Sequence, residues 1–394
     1  MSEWKKVKLR DCCLKIGSGS TPKGGSTVYV ESGTSFIRSQ NVYNLSFDYN
    51  GLTHITEDAA NKLNGVTIFN DDILLNITGD SVARTCIVPN DVLPARVNQH
   101  VAIVRADCKM INSRFLNYYL ASPGMQAHML SLAVGKGASR NAMTKQMIEN
   151  FEVPCPSLST QHRIATILSR YDSLIENYQQ QIKLLEEAAQ RLYKEWFVDL
   201  HFPGHENAKI VDGVPEGWKK KTLDEYCSVF TGKKNANAAV PLGKYKFFTC
   251  GETPLQINSF IYDGPAIIIS GNGSYTGRTT FYEGKFDLYQ RTYACTISNN
   301  DNKDMIYGLF EIVKCELTAQ ISGGTHGAAI PYIVMGDVTK FTFTSNDIIL
   351  RKFSKIIKSF LDRTMCISSQ IRLLTEARDR LLPKLMSGEI NVES

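Results

Sequence analysis

At 394 residues the chain exceeds what one hydrophobic core usually holds, so two or more domains are expected. A 43% hydrophobic content suits a globular protein. No apolar run approaches the ~18 residues of a membrane span, and MSEWKKVKLR lacks the apolar core of a secretion signal. A net charge of +5 permits a nucleic-acid partner without requiring one, and ten cysteines without any CxxC argue for reduced thiols in the cytoplasm and against a zinc site.

In chain order, residues 4 to about 157 alternate short β-type runs with Gly/Ser/Asn turns and one or two helical stretches such as SRFLNYYLASPGMQAHMLSLA, an α+β pattern. Pro154 and Pro156 punctuate its end, and a long helix is expected from about Thr160 to Val198. His201–Trp218 is Gly/Pro-rich and reads as a linker. A second α+β stretch follows to about Ser345, then a second helix over roughly Asp347 to Leu382, stopped by Pro383. The expected boundaries are 1–157 and 218–345 for the two domains, 158–200 and 346–394 for the helices (the latter with a C-terminal tail), and 201–217 for the linker.

The two halves are copies. QIKLLEEAAQRL (Gln181–Leu192) and QIRLLTEARDRL (Gln370–Leu381) share eight of twelve positions at an offset of 189 residues. WKKVKLRDCC from Trp4 matches WKKKTLDEYC from Trp218. Between these anchors the interiors diverge. The exceptions are DDILLNITGDSVAR (Asp71–Arg84) against GPAIIISGNGSYTGR (Gly264–Arg278), and RVNQHVAIV against LYQRTYACTI, which share a pattern of strand and polar turn.

Both helices carry a sustained heptad register. In the first it runs through Ile164, Leu168, Tyr171, Ile175, Tyr178, Ile182, Leu185, Ala189, Leu192 and Trp196. The second has Phe353, Ile357, Phe360, Thr364, Ile367, Ile371, Leu374, Arg378, Leu381 and Leu385, with Thr364 and Arg378 out of character and Leu385 past the proline. The fold class expected is therefore α+β: two tandem mixed domains separated by two long helices pairing as an antiparallel coiled coil, a pseudo-twofold duplication. The bland alternative is that each helix packs only on its own domain. A helix of ~36 residues spans ~54 Å, enough for a rigid spacer.

Catalytic motifs do not appear. GSGSTPKGG and GKGAS fail the P-loop pattern, and no dinucleotide fingerprint, HExxH or GxSxG occurs. His201 and His205 straddle Pro203 and Gly204, which excludes a helical metal face, and Asp71–Asp72 read as the end of a turn. No catalytic or metal residue is assigned. The turns instead offer a vocabulary suited to DNA: Lys23; Arg38, Gln40 and Asn41; Arg84; Asn98 and Gln99 beside His100; and Arg140. The second half offers Lys233, Lys234 and Asn235; Asn272, Tyr275 and Arg278; and Gln290 and Arg291. Arginine pairs with guanine and Asn or Gln with adenine, while lysine and Gly-flanked amides suit phosphates.

These features coincide with a known family. VPEGWKKKTLDEYC with its partial copy SEWKKVKLRDCC, PSLSTQHRIATILSRYDSLIE, LLPKLMSGEI and the domain–helix–domain–helix order closely resemble the specificity subunits of type I restriction–modification systems, over essentially the whole chain. The resemblance implies two target-recognition domains, each reading one half of a split, asymmetric target in double-stranded DNA. It also implies helices that set the unread gap and dock two modification (methyltransferase) subunits, joined by restriction (motor and nuclease) subunits. S-adenosylmethionine, ATP and Mg would belong to those partners, whose assembly methylates adenine and cuts foreign DNA with ATP; this chain would be non-catalytic, cytoplasmic and free of membrane. One departure is GTHGAAIPYI in the second half where the first has GASRNAMTKQ, and the second helix lacks the proline-bearing VPCPS start. The alternative reading is a stand-alone sequence-specific DNA-binding regulator, disfavoured because regulators commonly dimerise one domain rather than fuse two divergent ones. A purely structural coiled coil would leave the Arg/Asn/Gln-bearing turns unexplained, and an enzyme with an unrecognised site would act alone on DNA with Mg²⁺ and S-adenosylmethionine, where no turnover is expected.

Overall fold

The computed structural model describes residues 4–134, 141–297, 302–321 and 332–392. They form two compact units, Met1–Tyr178 with Gln370–Ser394, and Gln179–Ser369.

In the first unit the chain opens with β1 (Lys6–Lys8) and continues through β2 (Cys13–Ser18), β3 (Thr34–Ile37), β4 (Ile73–Asn76), β5 (Thr85–Ile87), β6 (Ala95–Val97), β7 (Val101–Ala106), helices α1 (Ser113–Ala121) and α2 (Pro123–Ala133), and β8 (Glu152–Pro154). An antiparallel sheet runs β5-β4-β7-β2, while β3 and β6 pair in parallel inside a second, five-stranded sheet. β4 and β7 read as unbroken apolar runs because both faces are covered. Ile73, Leu75, Ala102 and Val104 face the core that holds the helices, while Leu74, Val101 and Ile103 face the second sheet.

The second unit repeats this plan. β9 (Lys219–Thr222), β10 (Ser228–Thr231), β11 (Tyr245–Phe248), β12 (Leu255–Ile257), β13 (Tyr262–Ser270), β14 (Thr279–Leu288) and β15 (Thr292–Thr296) lead to α3 (Met305–Ile321) and β16 (Thr342–Ser345). Its sheet runs β10-β15-β13-β14-β11-β12, and read backwards β14-β13-β15-β10 reproduces β5-β4-β7-β2. The matched sequence ends become a matched frame: β1 pairs antiparallel with β8 as β9 pairs with β16. Leu9 N donates to Phe151 O at 2.9 Å and Leu223 N to Phe341 O at 3.0 Å, with both leucines fully buried. The interiors diverge in sequence, and the frame holding them does not.

The first long helix covers Leu158–Tyr193 and ends in a π turn, Lys194–Val198; the second covers Asp347–Met386. Ser157 Oγ accepts from Thr160 N at the first start, and Asn346 Oδ1 accepts from Ile348 N at the second, so an asparagine cap replaces the proline-bearing approach. Pro383 does not stop the second helix. It lies in the last turn, where its missing N–H costs a single bond, and Leu382, Leu385 and Met386 at 6% exposure or less dock that turn into the first unit's core. Leu385 is therefore a helical core residue. Nor is 201–217 bare linker: Phe202 is buried in the second unit's core, and Ile210–Val211 pairs with Val214–Pro215.

Neither helix packs only on its own domain. Ile164 and Leu168 of the first share one core with Leu382 and Leu385 of the second, while Ala189, Tyr193 and Trp196 share the other with Phe353 and Ile357. No register position is exposed. Ile164, Leu168, Ile175, Ile357 and Ile367 are buried; Ile182, Leu185, Leu192, Phe360, Ile371, Leu374 and Leu381 are half-buried. Leu174, Leu184 and Leu373, off the register, are 47–55% exposed, so the heptad selects the covered face. Inside the first unit Arg378 Nη1 donates to Asp172 Oδ1 at 2.7 Å, and inside the second Arg363 Nη2 donates to Gln181 Oε1 at 3.3 Å.

Arg378, the misfit in the heptad, has a specific partner. Asp172 also accepts from the Tyr118 hydroxyl, which burial and the adjacent carboxylate push up so that it keeps its proton. Both charged side chains are at most 17% exposed. Asp172→Ala strips this site of its carboxylate but leaves Arg378 its second partner, Asp379. A loss of about 2 kcal/mol in the stability of the first unit is expected, read from its denaturation midpoint, and a change below about 0.5 kcal/mol would contradict the assignment.

Candidate nucleic-acid interface

In each unit the polar turns meet along one sheet edge. In the first, Ser20 N donates to Val97 O at 3.0 Å, Asn98 N to Ile37 O at 3.0 Å, Ile77 N to His100 O at 3.0 Å, and Asn76 Nδ2 to Ser39 O at 2.8 Å. Segments 19–23, 38–41, 77–84 and 98–100 are thereby stitched side by side. In the second, Gln290 N donates to Lys234 O at 3.0 Å, Gly271 N to Arg291 O at 2.9 Å and Tyr289 N to Phe248 O at 2.9 Å. The crossing is so close that a Cβ on Gly19 would lie 2.1 Å from Val97 O, and one on Gly232 1.8 Å from Leu288 O. Glycine is required at both places.

The same turn closes each edge. Ala83 N donates to Asn76 O and Asn76 N to Arg84 O, at 2.9 and 2.8 Å; Gly277 N donates to Ser270 O and Ser270 N to Arg278 O, at 2.8 and 3.0 Å. Arg84 and Arg278 thus hold equivalent positions. Each lays its guanidinium on a tyrosine ring, Arg84 on Tyr43 at 4.6 Å and Arg278 on Tyr275 at 5.3 Å. Arg278 Nη1 also donates to Glu252 O at 2.8 Å. Stacking itself uses none of the guanidinium's N–H donors, and the Glu252 carbonyl takes only one of those on Arg278, so each planar fork keeps donors to offer. Tyr43 and Glu252 escaped the sequence reading, although Tyr43 sits two residues beyond Asn41 in the turn already singled out.

The divergence between GASRNAMTKQ and GTHGAAIPYI does not alter the backbone plan where both are described. Met143 N donates to Ile77 O at 2.8 Å with Ala142 bridged to Thr78, and Ile333 N to Gly271 O at 2.9 Å with Tyr332 bridged to Asn272.

Of the sixteen DNA candidates, Lys23, Gln40, Gln99, Lys233, Asn235, Tyr275, Arg278, Gln290 and Arg291 are exposed, while Arg38, Arg84 and Asn272 are half-buried. Arg38 Nη2 and Gln40 Nε2 both donate to Gly51 O, at 2.8 and 3.2 Å, and Gln99 Oε1 accepts from Thr21 Oγ1 at 2.8 Å. Three candidates belong to the scaffold instead. Asn41 is fully buried, donating to Asp48 O and Asn50 O and accepting from Arg38 N. Asn98 is buried and accepts from His100 N at 3.1 Å. Lys234 donates to the buried Asp287 carboxylate at 2.6 Å and to Ser259. Arg140 lies outside the described residues, as does the GKGAS turn before it. Asp72, expected at the end of a turn, is fully buried and held bidentately by Arg105 at 2.7 and 2.8 Å. Among the described residues no group of three or more His, Cys, Asp or Glu could hold a metal ion, and no helix is long and apolar enough to cross a membrane.

Comparison with known proteins converges on one family. A family profile described as the type I restriction modification DNA specificity domain matches residues 1–187. The MjaIX type I restriction enzyme specificity subunit of Methanocaldococcus jannaschii is 26% identical over 99% of this chain and 94% of its own length. The EcoDI specificity subunit of Escherichia coli is 33% identical over 46% of this chain and 40% of its own. In fold, the type I restriction–modification S subunit of M. genitalium superposes with a TM-score of 0.61 at 16% identity, covering 97% of this chain and 96% of that one. With the duplicated frame and the two long helices in place, residues 1–187 match the type I restriction modification DNA specificity domain, and the whole chain is similar to type I restriction enzyme specificity subunits.

Proposed function

We propose that each domain, 1–157 and 218–345, is a target-recognition domain reading one half of a bipartite double-stranded DNA sequence. The helices, 158–200 and 346–394, pair as an antiparallel coiled coil that fixes the unread gap and docks two methyltransferase subunits. The 201–217 segment hands the chain from the first helix to the second reader. This subunit supplies specificity and no chemistry; S-adenosylmethionine, ATP and Mg act on the methyltransferase and restriction subunits, in the cytoplasm where the DNA is. The observation that carries this reading is the repeated edge, with the same turn, the same backbone links and an arginine stacked on a tyrosine in each domain.

Arg84→Ala should relax the target at one position of one half and Arg278→Ala at one position of the other, each costing about 1–3 kcal/mol against the cognate site. Lys233→Ala, at an exposed phosphate-type position, should weaken all sequences alike and lower the salt slope by about one unit. Binding titrations on cognate and half-altered duplexes at several salt concentrations check both. Uniform loss from either arginine variant would remove it from base reading.

A further inference from the structure

Trp4 and Trp218 occupy the same place, each five residues before the fully buried leucine of its frame, Leu9 and Leu223. In the second unit Trp218 is sealed: Phe197 lies 5.6 Å from it, Phe202 lies 5.1 Å from it, and it is left 8% exposed. Phe202 arrives from the turn beyond the first helix and is itself buried. In the first unit Trp4 is only half-buried. Met386 stands where the 189-residue offset places Phe197, but the counterpart of Phe202 is Asn391, an exposed polar residue. Gly388, with φ +73°, lays bare backbone against the indole, where a Cβ would come within 3.1 Å, so one wall is closed without the space being filled. What is left is a groove of about 540 Å³ lined by Trp4, Lys6, Tyr119, Pro154, Met386 and Ser387.

We infer that this groove is a docking site for a partner polypeptide presenting an aromatic side chain beside a carboxylate. The aromatic requirement comes from the filled counterpart, where a phenyl ring completes the tryptophan's packing. The acidic requirement comes from Lys6, which lines the groove, is exposed and has no ion pair among the described residues, with exposed Lys5 beside it. An aromatic anchor in a desolvated pocket with a charged rim is the usual centre of a protein interface. Assigning the partner to the modification subunits rests on the function proposed above; the groove's chemistry does not.

The probe is the labelled nonapeptide VDLHFPGHE, residues 198–206, which carries Phe202 and Glu206. Fluorescence anisotropy against the full chain should show saturable binding that disappears when the peptide carries Phe202→Ala. Trp4→Ala in the chain should weaken it at least about tenfold, and Trp4→Phe should retain most of it. Lys6→Glu, a surface change that leaves the core intact, should weaken it severalfold at low salt and less at high salt. With the methyltransferase subunits bound, the peptide should no longer enter. Absent saturable binding, or binding indifferent to Phe202, Trp4 and Lys6, overturns the site. Equal binding to the free chain and the assembled complex overturns the occupant, as does a dimer of this chain that Lys6→Glu dissolves. None of these results bears on DNA half-site reading, which is measured separately.

Discussion

Exchanging residues 218–345 for the corresponding domain of a relative is expected to replace one half of the methylated target and leave the other half unchanged. The cut points fall at the two ends of the β9–β16 frame, so the graft brings its own paired strands and the divergent interior between them. Trp218, Phe341 and Phe343 must stay aromatic in the graft. They belong to the core that also holds Tyr193 and Trp196 of the first helix and Phe353 of the second. Each altered base pair of a specific site costs about 1–3 kcal/mol, so discrimination for the old half-site should vanish altogether. Base-resolution methylation mapping with the partner subunits checks this. Alteration of both halves would show that the domains do not read independently.

The frame was legible because it is a repeat. Matched ends in matched order became paired strands, and the heptad marked the covered face of both helices. What stayed hidden depends on partners remote in sequence. Arg378 looked like a flaw in the register because its carboxylate, Asp172, lies 206 residues earlier. Pro383 looked like a stop because propensity alone does not count the burial of Leu382 and Leu385 on either side of it. Asn41, Asn98 and Lys234 share their turn context with exposed neighbours such as Gln40, Gln99 and Lys233. Burial of Asn41 and Asn98, and the buried Asp287 carboxylate that holds Lys234, separate the two groups, and both follow from which loop crosses above, a matter of sheet order. For the same reason Tyr43 and Glu252 came into view only once the sheet set loops from separate strands against Arg84 and Arg278.

Lengthening both helices together should lengthen the gap in the DNA target. An insertion after Leu192 would not report this, because Tyr193 and Trp196, both 7% exposed, are already fixed in the second unit's core. Insertion in one helix alone would set every later contact of an antiparallel pair out of step. The informative variant carries four residues after Tyr178 and four after Ser369, the places where the two compact units divide each helix. Four residues add ~6 Å and nearly restore the helical face, since a turn takes about 3.6 residues. At ~3.4 Å per base pair the gap should grow by one or two. Matched two-residue insertions would rotate the distal seam by roughly 200° and should abolish assembly.

The most direct test is therefore methylation mapping by sequencing of DNA modified by the matched four-residue variant with its methyltransferase subunits. Both half-sites retained with a gap one or two base pairs longer is the result expected if the paired helices are the ruler between two readers. Both half-sites retained with the original gap would contradict it.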